Sequence, residues 1–406
     1  MKYIYGGVTA AKGYWASGAE ANIKYQNRLD MALVFSRVPA KVAGTFTTNV
    51  VKAAPVKWDM EIIKNEAAQA IVFNSGIANA CTSKVGEKAN EEMAKAVADA
   101  LNIPVQYVLT GSTGVIGMQL PVDRIKTGVL KLTEKLADTI EAGREAACAI
   151  MTTDTYSKEC AVQFEVEGKT ITVGGMSKGS GMIHPNMATM LSVVTTDLAI
   201  SKELLQEALS ASVKDTFNMI SVDRDTSTND TQIIFANGLA GNTEIAEKNE
   251  AYEAFCNALN DVNRTLAIMM AKDGEGATKL FETKVIHAKT KEEAIVLSKS
   301  VITSNLVKTA IYGSDANWGR ILCALGYSGV DFDPENVDLY IESKSGKLKL
   351  FENGLATDFS EEFATQILSD EEVTAIADMK QGDASATAWG CDLTYDYVKI
   401  NGDYRS

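Results

Sequence analysis

Histidine is almost missing from this 406-residue chain: His184 and His287 are the only two, and they lie far apart. A Ser-His-Asp or Cys-His site needs a histidine base. Only His184 stands near a segment of interest, and a lone histidine is more often structural. Cysteine is present six times, but no two form a C-x-x-C pair, which argues against a zinc site and a disulfide framework. Scattered cysteines are usually small buried hydrophobes. With 6 prolines and no Gly/Ser- or Pro-rich run, a disordered linker is not expected. No basic cluster occurs and the formal charge is −14, so a polyanion such as nucleic acid would be repelled. The ordinary explanation of such acidity is solubility. No run of 18 apolar residues exists to span a membrane. The opening Met1-Lys2-Tyr3-Ile4-Tyr5-Gly6-Gly7 lacks the apolar core of a signal peptide. The expectation is a reduced, cytoplasmic protein.

What is present fits an ordinary globular chain, 46% hydrophobic and 23% charged. Its length favours two domains, or two halves of one layered body. Strand and helix signals alternate, pointing to a mixed α/β or α+β fold. Val162–Val166 and Thr170–Val173 alternate at period two around Glu167-Gly168, which predicts a hairpin. Phe255, Leu259, Val262, Leu266 and Met269 form one stripe of a helix over 249–271. Met93, Val97 and Leu101 do the same over 88–101, and further helices are expected near 122–150, 202–217 and 291–302. No internal repeat or low-complexity tract interrupts them.

Several polar, glycine-bearing segments do not read as ordinary surface loops. They are 74–80, 111–117, 174–181, 225–230 and 313–320. With histidine so scarce, an acyl-transfer enzyme would need another base. The α-amine of a nucleophile at a chain terminus serves, because its ordinary pKa of about 7.7–8.0 leaves a useful neutral fraction near pH 7. That directs attention to the run from Lys178 to Val194, where glycines precede Ala188, then Thr189, then a strand-like stretch. Taken alone, this pattern is more simply a loop entering a buried strand. It lacks the Gly-Lys-Ser/Thr ending of a P-loop. Gly111-Ser112-Thr113-Gly114, after the apolar Tyr107-Val108-Leu109, could offer N–H groups and a hydroxyl to a developing oxyanion, although such stretches are usually turns.

The run Lys178-Gly179-Ser180-Gly181-Met182-Ile183-His184-Pro185-Asn186-Met187-Ala188-Thr189-Met190-Leu191 resembles the self-cleavage motif of the ornithine acetyltransferase family, the glutamate N-acetyltransferases of arginine biosynthesis. The resemblance covers nearly the whole chain. It includes 6–13, 47–56, Ser112–Gly117, Met151–Thr155, Ser227–Thr231, Leu306–Ala310 and Asp315–Arg320. Ile77 and His184 depart from it, standing where Asn and Ala are expected. Neither departure removes a proposed catalytic group.

By this resemblance the precursor cuts itself between Ala188 and Thr189. An alpha chain of residues 1–188 and a beta chain of 189–406 would stay together, two of each in a heterotetramer. The fold implied is a layered α/β body of helices around β-sheets, the architecture of self-cleaving enzymes with an N-terminal threonine nucleophile. Thr189 would be that nucleophile, with Thr113 and Gly114 as its oxyanion pair. Thr152 (or its neighbour Thr153), Lys178, Thr189, Glu275, Asn401 and Ser406 match substrate-binding positions. Without the family, a lysine and a glutamate are better read as solvated surface. Lys178 and Glu275 are instead expected to converge on one pocket with Thr189. The implied reaction is ping-pong, moving acetyl from N2-acetyl-L-ornithine to L-glutamate through acetyl-Thr189, with no metal and no cofactor. Whether acetyl-CoA is an additional co-substrate stays open. So do two alternatives: a related self-cleaving amidase or aminopeptidase, and an inactive binding paralogue.

Overall fold

The computed structural model describes residues 1–184 and 190–403, so Ala188, Thr189 and Ser406 lie outside the described residues. The chain folds into two units, each built from separate stretches. Unit 1 gathers 1–179, 226–270 and the described residues of 185–218, while unit 2 gathers 180–184, 219–225 and the described residues of 271–406.

Unit 1 is a nine-stranded sheet with helices. Its first strands are β1 (Lys2–Ile4), β2 (Tyr14–Ala19), β3 (Met31–Phe46), β4 (Ala68–Ile77) and β5 (Val108–Val115). Then come β6 (Lys158–Val166), β7 (Lys169–Lys178), β8 (Leu191–Thr196) and, after β9 (Ile220–Ser221) of the other unit, β10 (Thr231–Ala236). The order is β1-β6-β7-β8-β10-β3-β4-β5, with β2 also on β3. All ten residues of β4 are buried. Side chains alternate across a strand, and β3 and β4 show both faces covered. Ala32, Val34, Ile71 and Phe73 join one core with Ala146 and Ala147, whereas Leu33, Ala70 and Val72 join another with Met93, Val97 and Ile125. These partners come from α2 (Ser83–Leu101), α3 (Val122–Glu134) and α4 (Ile140–Ala149), which follow α1 (Ala54–Ile62). Unit 1 also holds α5 (Lys202–Asp215) and most of α6 (Glu250–Lys272).

The expected hairpin is β6–β7, its turn made by Glu167 and Gly168 at φ 52° and 72°, the paired positive φ of the turn that suits strand twist. The helix stripe is nearly as expected. Phe255, Leu259, Val262 and Leu266 are fully buried, but Met270 rather than Met269 continues the buried face, and Met269 is half-buried. Three of the glycine-bearing segments set apart from ordinary surface loops begin as strand: β4 runs through Ile77, β5 through Val115 and β7 through Lys178. Pairing with neighbouring strands supplies ladder bonds that single-sequence turn signals do not reveal.

Unit 2 has a seven-stranded sheet, formed with β9 by β11 (Leu280–Ala288), β12 (Asp338–Ser343), β13 (Gly346–Glu352), β14 (Leu355–Ala356), β15 (Glu372–Asp378) and β16 (Ala384–Cys391). Its order is β14-β13-β12-β15-β11-β16-β9. The helix α7 (Lys291–Ile302) packs on β11 and β16. It is followed by α8 (Asn305–Tyr312), α9 (Trp318–Gly326), α10 (Glu361–Leu368) and α11 (Tyr395–Gly402). Among the described residues no single helix is long and apolar enough to cross a membrane, and all six cysteines are unpaired.

Candidate active site

In unit 1 the chemistry gathers at the ends of parallel strands β4 and β5. Ser112 pairs with Asn74 and Gly114 with Gly76. Ser112 donates its hydroxyl to Asn74 Oδ1 at 2.7 Å. The Asn229 amide donates to the carbonyls of Ala78 (2.6 Å) and Ser112 (2.8 Å), tying both strand ends to the loop before β10. Gly114 has φ 128°, and a Cβ there would collide with the Gly76 backbone. Only glycine fits, because no flexible side chain could yield.

Lys178, the last residue of β7, is 8% exposed, and its Nζ donates to Thr113 Oγ1 at 3.4 Å. The surface position that composition favours for a lysine is therefore wrong here. Asp154 explains how this region tolerates its charge. Its Oδ1 accepts from the Gly179 N–H at 2.7 Å and from Lys158 Nζ at 2.7 Å. Both members of the Asp154–Lys158 pair are fully buried. Burial alone would raise the Asp154 pKa, but the Lys178 and Lys158 charges outweigh it and lower it to about 2. Asp230 goes the other way. Its burial outweighs hydrogen bonds from Ser227 and Thr47 and the Lys178 charge, holding its carboxyl well above the usual range. Thr152 donates its backbone N–H to Asp154 Oδ2 at 3.1 Å. Thr152 and Thr153 are both half-buried in the loop between α4 and β6.

In unit 2 a second group surrounds the short segment 180–184. The Glu275 N–H donates to the Ser180 carbonyl at 2.8 Å. Its carboxylate lies where a Cβ on Gly181 would be, so any larger residue there would have to push the Glu275 side chain aside. Glu275 is 7% exposed, again buried against expectation. Its Oε2 accepts from Asn401 Nδ2 at 2.7 Å. Asn401 sits on α11, whose N-cap Thr394 donates its hydroxyl to the Gly276 carbonyl at 2.7 Å. His184 places Nδ1 3.1 Å from Ser221 Oγ. Burial, aided by the Lys299 and Arg224 charges, lowers its pKa to about 4, so the ring is neutral near pH 7.

The structure thus brings Thr113, Gly114 and Lys178 together in one unit, and Glu275 and Asn401 together in the other. Asp154, Lys158, Asn229, Asp230 and Asp223 join these groups although sequence pattern singles out none of them. Asp154 lies inside the 151–155 motif and Asn229–Asp230 inside 227–231, whereas Asp223 carries no sequence signal.

A fixed strand-end Thr–Gly pair with a buried ammonium beside it can stabilise the oxyanion of a carbonyl under attack, the chemistry an acyltransferase needs. Comparison with known proteins narrows the class. The ArgJ family model matches residues 15–406, and the chain belongs to that family of arginine-biosynthesis enzymes. It is 52% identical over 406 residues to the arginine biosynthesis bifunctional protein ArgJ of Caldanaerobacter subterraneus subsp. tengcongensis, covering 100% of both chains. It is 51% identical over 397 residues to the protein of the same name from Thermotoga neapolitana, covering 97% of this chain and 99% of that one. A crystal structure of the Bacillus halodurans ArgJ protein aligns at 45% identity and a TM-score of 0.50, covering 52% of this chain and 97% of that one.

Proposed function

We propose that this acyltransferase moves the acetyl group of N2-acetyl-L-ornithine to L-glutamate through acetyl-Thr189. The Thr189 hydroxyl attacks the acetyl carbonyl while its free α-amine takes the proton. The C–N bond then breaks, and the departing ornithine nitrogen receives that proton. The α-amine of glutamate next attacks the acetyl ester, returning the hydroxyl to Thr189. Splitting amide exchange this way replaces one difficult step by two easier ones. Thr113 and Gly114 stabilise the oxyanion of each step. Lys178 and Glu275 bind the charged groups of the amino acids, with Thr152, Asn401 and Ser406 as further contacts. The observation that carries the reading is the buried Lys178 ammonium 3.4 Å from Thr113 Oγ1. A lysine is seldom buried unless its charge is used or paired.

Thr189 acts only once its nitrogen is freed from the Ala188 peptide bond. Attack of its hydroxyl on the Ala188 carbonyl transfers the acyl group from nitrogen to oxygen. Water then hydrolyses the ester, leaving an Ala188 carboxylate and a free amine. Cutting there would separate β7 from β8, which pair from Val173↔Thr196 to Lys178↔Leu191 inside one sheet. β10 would likewise part from β3 across six pairs. The two chains would therefore remain joined by sheet hydrogen bonds, and two such pairs would make up the assembly of two chains of each kind. The Bacillus halodurans chain, about half as long as this one by its coverage, supports a two-chain form. The unpaired cysteines suit a reducing cytoplasm.

The test measures ornithine release from acetylornithine with and without glutamate, beside glutamate acetylation by acetyl-CoA. Release that requires glutamate is expected. Acetate release without glutamate would make the protein an amidase, and acetylation by acetyl-CoA would add a synthase activity.

A further inference from the structure

Five consecutive residues upstream of the self-cleavage junction, 180–184, belong to unit 2, and one acid does most to hold them. Asp223 accepts the Met182 N–H on Oδ2 at 2.6 Å and the Ile183 N–H on Oδ1 at 2.8 Å. Met182 is left-handed at φ 55°, a costly conformation for a methionine. The two hydrogen bonds to a carboxylate offset that cost, each worth more than a neutral bond. The Val222 N–H donates to the Ile183 carbonyl at 2.7 Å, laying Ile183 beside the strand end at β9. The carboxylate itself is braced by the Asp225 N–H at 3.2 Å and the Tyr397 hydroxyl at 3.3 Å.

We propose that Asp223 is a positioning residue for self-cleavage: it fixes the chain just before the junction so that the Thr189 hydroxyl meets the Ala188 carbonyl. This rests on the self-cleavage reading above. From His184 only four residues, 185–188, lead to the scissile bond. A tether that short transmits the anchor's position, whereas a released chain samples many geometries, and intramolecular attack is steeply sensitive to misplacement. Asp223 itself neither attacks nor carries a proton in the step.

The experiment follows conversion of freshly synthesised precursor to two fragments on denaturing gels. Asp223→Asn replaces an acceptor by an amide that opposes one of the two N–H groups. Its precursor should persist at least tenfold longer than wild type. In the uncleavable Thr189→Ala background, the same change should leave the melting temperature within a few degrees. A second variant, two glycines inserted after His184, keeps every Asp223 bond and frees only the tether. It should slow cleavage similarly, so the proposal is tested even where Asp223→Asn fails to fold. Wild-type cleavage rates in the glycine insertion, or in folded Asp223→Asn, overturn the role of Asp223 alone. Wild-type protein that never splits overturns the self-cleavage reading and this inference with it.

Discussion

The two residue groups are built from opposite materials. In unit 1, Thr113, Gly114 and Lys178 stand on strands β5 and β7, where main-chain ladders and the buried Asp154–Lys158 pair set their positions. In unit 2, Asp223, Glu275 and Asn401 come from loops and from α11, a helix with no buried residue. The first group centres on an ammonium, the second on carboxylates. An oxyanion hole works only when its donors are fixed before charge develops, and strands provide that. Recognition of a mobile amino-acid substrate, or anchoring of a chain segment, tolerates supports that give a little.

The sharpest way to break this comparison is Thr189→Ala. The protein should stay one full-length folded chain with no transfer activity, whereas Thr189→Ser should keep some cleavage and turnover. Fully active wild-type protein that runs as a single band would sink the mechanism. Next in size is Asp154→Asn, which leaves Lys158 buried without its counter-charge. Breaking such a pair typically costs about 3–5 kcal/mol, so the denaturant midpoint should drop sharply. The pH dependence follows from the sign of the shift. Asp154 is held near 2 when folded, against about 3.9 when unfolded. Its contribution is therefore present above pH 4 and lost as pH falls toward 2, and acid titration of wild type against the variant reads this.

Thr113→Ala tests the strand-borne group of unit 1 directly. Transfer should slow by roughly a hundredfold or more, the cost of about 2.7–4 kcal/mol for one lost oxyanion donor, with little change in melting. Wild-type turnover would remove Thr113 from the mechanism. The smallest effect belongs to the loop-borne group of unit 2. His184 titrates near 4 when folded and near 6.5 when unfolded. Between those values the unfolded chain binds more protons, so stability falls as pH drops through this window. His184→Ala should flatten the slope of the urea midpoint between pH 7 and 4.5. An unchanged slope would show that its burial does not control the ring.

Local pattern was a sound guide wherever one element decides its own faces. The β6–β7 hairpin needed only alternation and a Glu-Gly turn, and α6 needed only its stripe. It failed where a distant strand supplies the partner. Ser112-Thr113-Gly114 reads as a turn until β4 pairs with it, and Lys178 reads as surface until Asp154 and Thr113 arrive from 24 and 65 positions away. Glu275 is the same case, its carboxylate meeting Asn401 from 126 positions off.

By itself the sequence determined the family, the junction at Ala188-Thr189 as an expectation, and the types of most elements, because motifs and hydrophobic periods are written along the chain. Only the tertiary structure decided that Lys178 and Glu275 are buried, that each unit draws on both sides of the junction, and that Asp223 grips the segment before it. Burying a charge requires compensating groups, and here those groups come from far along the chain.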